Sequence, residues 1–525
     1  MTDELVEVAE DSARGGFFLV SGNALAMVIM AFGSILVGRL LGPELYGQYA
    51  LALVVPQLLF LFTDLGINQA IIRFAASLRA TGEVGRVTRI IQSGMLLRVI
   101  IGMTIFAVNF ALAGLFAVFL NRPNIAMYIQ IASISIIFQV VYTTVASASV
   151  GLDKTEYNAL TVNIHATVKT TLSIILVLLG FSVTGAIIGH VGGYIIASII
   201  GAGILFFKLL NLSRGCEKDS FVKNFRILAS YGMPLYVSIL LIGFLPLYQN
   251  LMLAFFTTGY IDIGNFKAAT NFIALISVLS MSITTALLPA FSKLNSSTSE
   301  KIKSFFKLAN KYTCLLVIPT TTLIIIFSKE IVQIIYGSAF QSAPLFLATY
   351  CPLFFLVAIG YLNLTSLFNG LGETRITLKM TFINFLVFIV LAPVLSKTYG
   401  VIGLIVASLI SNATATSYAS YMARASFKIE FATRSIIKIY LVSAMSGIPS
   451  LMLLHFTSFP ELFNIIVGGA LYFLIYATLT PLTQIISNSE LQTVTYIVEK
   501  IRPLTLIAKP LLKYQGKILD MRANT

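Results

Sequence analysis

Apolar runs of about twenty residues recur along this chain, separated by short polar breaks, and they set its architecture before any single residue does. About 20 apolar residues in a helix cross the ~30 Å of hydrocarbon in a bilayer. About fourteen such runs are present: 17–40, 46–70, 91–119, 124–150, 158–180, 184–207, 228–256, 263–290, 312–328, 343–369, 377–396, 400–423, 437–457 and 462–487. Period-2 alternation at strand length is absent, which argues against a barrel. Inside lipid only a helix satisfies the backbone of segments this long. The pattern therefore predicts an all-α integral membrane protein of about 14 transmembrane helices.

Polar positions refine the picture. Residues 264–267 (Gly-Asn-Phe-Lys) repeat in kind residues 47–50 (Gly-Gln-Tyr-Ala), an offset of 217, from 47 to 264. Both copies open a span running in the same direction. Two pseudo-symmetric six-helix lobes plus a C-terminal helix pair are expected, with a substrate site near the midplane as in transporters built from repeats. The expected divisions are a cytoplasmic N-terminus at 1–16, an N-lobe at 17–207 and a basic linker at 208–227. A C-lobe follows at 228–423, then the last helix pair at 437–487 and a basic amphipathic tail at 488–525. Ile302, Phe305, Phe306 and Ala309, set among Lys301, Lys303, Lys307 and Lys311, read as an interfacial helix.

Composition agrees: mean hydropathy is +0.91 and only 11% of the 525 residues are charged, against about 25% in soluble domains. The net charge of +14 is not a nucleic-acid footprint, because the cations are spread over short segments beside spans. With Met1 placed inside, 29 of the 35 Lys/Arg fall in inner segments, counting Arg98 with Arg86 and Arg89, and the outer segments hold Arg39, Arg122, Lys329 and Lys397. Inner segments are enriched in Lys/Arg, so both termini are expected in the cytoplasm of a multi-pass cell-membrane protein. Anionic lipids are the expected partners of the basic inner segments and tail. The acidic start (Asp3, Glu4, Glu7, Glu10, Asp11) is the wrong flank for a cleaved signal, so the first span is expected to stay as an anchor. Cys216, Cys314 and Cys351 lack metal-ligand spacing. No metal or other cofactor is expected, and no catalytic motif is found.

Two cations remain inside spans, Lys169 and Lys267. A Lys at the centre of a transmembrane helix costs about 2.5–3.5 kcal/mol on insertion scales, so it needs a counter-charge or water. His165 lies one turn before Lys169 on the same face. Two fates are open to Lys169: a pair with Asp64, the acid deepest in a span, or an anion site facing a cavity. With Lys169 and His165, Lys267 near one span end and Arg39 at another are the candidate substrate-binding cations, although long cations at span ends also snorkel to the surface. Asn23, Gln57, Asn250 and Asn271, on the first two helices of each lobe, are the amides expected to meet sugar hydroxyls, since each hydroxyl leaving water needs a partner.

Gly38-Arg39-Leu40-Leu41-Gly42-Pro43-Glu44-Leu45-Tyr46-Gly47-Gln48-Tyr49, then Thr63-Asp64-Leu65-Gly66-Ile67 and Ile71-Ile72-Arg73-Phe74, resemble the opening of polysaccharide-transporter proteins. These are lipid-linked oligosaccharide flippases of the multidrug/oligosaccharidyl-lipid/polysaccharide exporter superfamily. Leu287-Leu288-Pro289-Ala290-Phe291-Ser292, Tyr336-Gly337 and Asn369-Gly370-Leu371-Gly372-Glu373-Thr374 match in kind, and the resemblance covers about the first 425 residues. It implies a flippase carrying a polyprenyl-(pyro)phosphate-linked oligosaccharide from the cytoplasmic to the outer leaflet by alternating access, without ATP hydrolysis, beside glycan-assembly enzymes. Many members carry an acid where this chain has Tyr248-Gln249-Asn250, so cation coupling there is not carried over, and Asp64 is left as the candidate for coupling to H+ or Na+. The rival readings are a cation-coupled drug antiporter of the same fold, which wants acids in its cavity, and a membrane glycosyltransferase or glycan polymerase, which wants a catalytic outer loop.

Overall fold

The computed structural model describes residues 3–209, 221–257, 259–294, 299–457, 459–488, 490–492, 495 and 502–523. Every regular element among them is helical. They are α1 (Asp3–Ala52), α2 (Val54–Phe60), α3 (Ile67–Ala80), α4 (Val84–Phe119), α5 (Ala126–Ser133) and α6 (Ser135–Gly151). Next come α7 (Thr155–Leu176), α8 (Ser182–Gly203), α9 (Phe221–Phe256), α10 (Tyr260–Leu294), α11 (Ser299–Ile326) and α12 (Ser328–Tyr336). The series ends with α13 (Ala343–Tyr350), α14 (Leu364–Gly370), α15 (Thr374–Phe427), α16 (Thr433–Phe456), α17 (Glu461–Leu482) and α18 (Arg502–Ala523).

Nine helices among the described residues are long and apolar enough to cross a membrane, or up to ten if a bent pair forms one span. The chain is thus a multi-pass membrane protein. The count is lower than the sequence reading of fourteen partly because some runs are very long. The 54 residues of α15, at 1.5 Å each, reach about 80 Å, more than twice the hydrocarbon thickness. A glycine divides it: Gly400 has φ +57° and ψ −133°, which no helix holds. Gly42 does the same in α1 with φ +72°, and Pro43 follows it. Proline suits the first turn of a new helix because the N–H it lacks would have no partner there.

Two compact units result. Unit 1 is Met1–Asn271 with Ile389–Leu404, and unit 2 is Phe272–Phe388 with Ile405–Thr525. Unit 1 thus takes in α9 and the start of α10, whereas the sequence reading ends its N-lobe at 207. The units follow packing and the expected lobes follow the repeat, so the two divisions differ in kind. Most of the expected linker, 210–220, lies outside the described residues, as do Cys216 and several stretches of the tail.

In unit 1, Ile67, Ile71 and Ala75 of α3 close on Ile91 of α4, Ala148 of α6 and Leu228 of α9. In unit 2, Phe306 of α11 is wholly buried with Phe291, Leu364, Phe368 and Ala419. The stretch read as an interfacial helix therefore turns its apolar face to protein. The tail helix α18 also rests on protein: Gln515 Nε2 donates to the Ala477 carbonyl (3.5 Å) and the Tyr514 and Thr478 hydroxyls share a hydrogen bond (2.9 Å).

An ion pair pins the chain after α17 to α11. Lys311 Nζ reaches both oxygens of Glu490, at 2.7 and 2.8 Å. Burial pushes the Glu490 carboxyl up, but the bonds from Lys311 and Ser487 outweigh it and hold the group below the usual carboxylate range. A depressed folded value gives stability that is present above the unfolded pKa, about 4.3, and is lost as pH falls through the lower folded value. Glu490→Gln is expected to cost about 1–3 kcal/mol. A thermal melt in detergent should show the loss at pH 7 and a difference between variant and parent that shrinks as pH falls below about 4.3.

Candidate functional site

Lys169 leaves α7 where small residues let neighbouring helices close in. A Cβ at Gly33 of α1 would lie 2.4 Å from Thr170 Oγ1, and one at Gly193 of α8 would lie 2.7 Å from Lys169 Cβ. Small residues at such crossings are how membrane helices approach closely. Asn163 Nδ2, two turns before Thr170, donates to the Gly22 carbonyl of α1 (3.0 Å). Lys169 is therefore held by its backbone in a tight α1–α7–α8 layer, with its side chain half-buried.

An aromatic cluster adjoins it. His165 stacks on Tyr194 (centroids 4.1 Å apart), His190 meets the same ring edge-on (5.3 Å), and Tyr142 packs against both Tyr194 and His165. His165 and His190 are 4% and 3% exposed. His165 Nε2 and His190 Nδ1 have no hydrogen-bond partner among the described residues.

The second span lysine belongs to the same unit. Gly264, Lys267 and Asn271 lie three and four residues apart on α10 and so share one face. That face meets α1 on both sides of Lys267. Gly264 is so close to Pro43 that a Cβ would fall 1.8 Å from its carbonyl oxygen. Asn271 Nδ2 donates to Ser34 Oγ (3.1 Å) and Tyr46 Oη (2.9 Å). Lys267 is half-buried between these contacts, and α7 and α10 meet the same stretch of α1, Thr170 against Gly33 and Asn271 against Ser34, which brings the two lysines into one region. Neither ammonium group has an ion-pair or hydrogen-bonding partner among the described residues.

Asp64 does not neutralise Lys169; it faces another cation. Arg98 Nε lies 3.5 Å from Asp64 Oδ1. Arg98 Nη1 donates to Asn68 Oδ1 (2.7 Å), Thr143 Oγ1 (3.0 Å) and Thr144 Oγ1 (2.7 Å). This guanidinium is 0% exposed within α4, so it is no inner-segment cation, as its grouping with Arg86 and Arg89 had it. Its position seven residues inside the run 91–119, among Leu96, Leu97, Val99 and Ile100, was the signal that sequence reasoning passed over. Asp64 Oδ1 also accepts the Asn68 N–H (3.1 Å), holding the start of α3 after a break at Leu65 (φ +47°) and Gly66 (φ +76°).

The structure thus brings Lys169, His165, Lys267 and Asn271 into one region of unit 1. Asn23 and Arg39 are exposed on α1, while Gln57 on α2 and Asn250 on α9 are half-buried. No hydrogen bond joins these four to either lysine among the described residues. No group of three or more metal-ligating side chains occurs there either.

An ammonium pair with no carboxylate partner among the described residues, beside a tyrosine–histidine cluster, is suited to an anion. Solved structures share the fold: lipid II flippase MurJ in an inward closed conformation has a TM-score of 0.72 and 17% identity, over 88% of this chain and 98% of that one. An inward-facing multidrug resistance MATE family transporter of the MOP superfamily gives 0.63 and 16%, over 77% and 94%. A MOP superfamily transporter from Pyrococcus furiosus gives 0.54 and 16%, over 79% and 95%. In sequence, the chain is 24% identical over 300 residues to the "Probable low-salt glycan biosynthesis flippase Agl15" of Haloferax volcanii. The match covers 56% of this chain and 62% of that relative, less than two thirds of its length. The family model described as polysaccharide biosynthesis protein matches residues 12–295, more than half of the chain. The chain belongs to the polysaccharide biosynthesis protein family.

Proposed function

We propose that this chain is a flippase that moves a polyprenyl-(pyro)phosphate-linked oligosaccharide from the cytoplasmic to the outer leaflet by alternating access, with no catalytic step. The observation that carries the reading is the Lys169/Lys267 pair, two neighbouring span cations without a carboxylate partner among the described residues. Bringing an unneutralised phosphate charge to the bilayer midplane is prohibitive. A site with two ammonium groups removes that barrier for the headgroup while the polyprenyl tail stays in lipid. Asn23, Gln57, Asn250 and Asn271 are the amides for the sugar hydroxyls. Family membership and the flippase relative support the same substrate class.

A cation-coupled drug antiporter of this fold fits less well, because Asp64 already faces Arg98. Coupling of glycan export to H+ or Na+ through Asp64 requires Arg98 to give it up. Anionic lipids at the basic inner segments and glycan-assembly enzymes remain the partners of the proposed flippase. Lys267→Ala tests the site: export of lipid-linked glycan in reconstituted vesicles is expected to fall about tenfold or more, for a lost contact of about 1.4 kcal/mol or more. Unchanged export in Lys267→Ala would remove α10 from the binding site.

A further inference from the structure

Arg122 is one of four cations that the sequence places on the outer side, and the anion site has no use for it. Its loop turns back sharply after α4, with Asn121 at φ +56° and a short 3-10 turn at Pro123–Ile125. This brings it onto the turn between α9 and α10. Arg122 Nη2 donates to the Thr257 carbonyl (2.7 Å), and its guanidinium lies over the Tyr260 ring, 4.9 Å from the centroid. Tyr260 in turn donates its hydroxyl to Asn124 Oδ1 (2.5 Å). Beside this junction the exposed Phe119 meets Phe255 edge to face, at 5.1 Å.

Beneath the loop lies a seam made of backbone. A Cβ on Gly47 would fall 2.1 Å from the Tyr260 carbonyl oxygen, and one on Gly264 would fall 1.8 Å from that of Pro43. The repeat offset of 217 residues carries Gly47 to Gly264 and Pro43 to Tyr260, so each contact is the other's symmetry copy. Such a reciprocal junction is self-complementary. Glycine surfaces interlock no side chains, so the seam is held by what bridges it: the Asn271 bonds to Ser34 and Tyr46 on its inner side, and a bridge at the rim. The rim bridge is the Arg122–Thr257 and Tyr260–Asn124 pair. Lys267 sits immediately behind the seam, one turn from Gly264.

We propose that the loop of Arg122 and Asn124 is an outer latch: it holds the α9–α10 turn against the α1 seam and must release for the lysine site to open outward. The proposal rests on the alternating-access reading above and adds the element that controls it. The latch is breakable by design of its chemistry. Its bonds run to a carbonyl and an amide at a half-exposed rim, where water competes for the same donors, rather than to a buried carboxylate.

The test uses the full chain with its three cysteines replaced by serine, in vesicles. Thr270→Cys serves as reporter, read by a membrane-impermeant maleimide applied from outside. Arg122→Ala is expected to raise the labelling rate several-fold. Arg122→Lys, which keeps charge without a flat guanidinium face, should fall between it and the parent. Asn124→Cys with Tyr260→Cys, bridged by a short reducible thiol cross-linker, should block both labelling and glycan export, and reductant should restore both. Labelling indifferent to Arg122→Ala, or export undiminished in the bridged protein, would overturn the latch. Because labelling needs no glycan, a labelling response in a chain that exports nothing would keep the latch and sink the transport reading instead.

Discussion

Lys169→Ala is expected to lower glycan export at least tenfold, with Lys169→Arg retaining most of it. Removing one member of a desolvated charge contact costs about 2–5 kcal/mol, and 1.4 kcal/mol is already a factor of ten. The side chain has no hydrogen-bond or ion-pair partner among the described residues, so its removal leaves no orphaned protein group. Folding should therefore survive. A thermal melt in detergent that is unchanged or slightly raised, together with lost export, separates a binding role from a structural one. Arginine restores charge and can pair with phosphate oxygens through two N–H groups at once. Equal loss of export in both variants argues against a simple charge role, and full activity in both ends the hypothesis.

The second large effect is on stability. Arg98→Ala is expected to cost about 3–5 kcal/mol, the usual result of leaving one partner of a buried ion pair alone. Arg98 is wholly buried, and its Nη1 serves Asn68, Thr143 and Thr144 at once. Without it, Asp64 loses the cation it faces and Asn68 Oδ1 loses its donor. Asp64→Asn should also destabilise, since it strands the guanidinium. The double variant Arg98→Met, Asp64→Asn is expected to lose less than the two single changes together, with a coupling of about 0.5–3 kcal/mol. Detergent-phase thermal unfolding of the four proteins gives the cycle directly. Single variants as stable as the parent would mean that the pair does not hold α3 and α4 together.

How much of this was legible beforehand depended on the physics of each feature. Hydrophobic run length predicted helices and their membrane setting because lipid imposes that pattern on the sequence itself. Lys169 was legible for the same reason, as a cost that needs explaining. Arg98 carries the same cost, yet proximity to a basic stretch at 73–89 let it pass as a loop cation. The face of α11 bearing Phe306 could not be assigned, because an amphipathic stripe looks alike whether it meets lipid or protein. Lys267 had two readings, and only the contacts of Gly264 and Asn271 on either side of it place it behind α1. The seam itself showed only as a faint four-residue repeat. Its meaning lies in contacts between positions some 217 apart, which no local pattern encodes.

Titration of inorganic pyrophosphate into the full chain held in nanodiscs tests the anion site most directly. Affinity is expected to fall at least tenfold in Lys169→Ala and in Lys267→Ala, further in the double variant, and to weaken steeply as salt is added. Undiminished binding in the double variant would contradict the site.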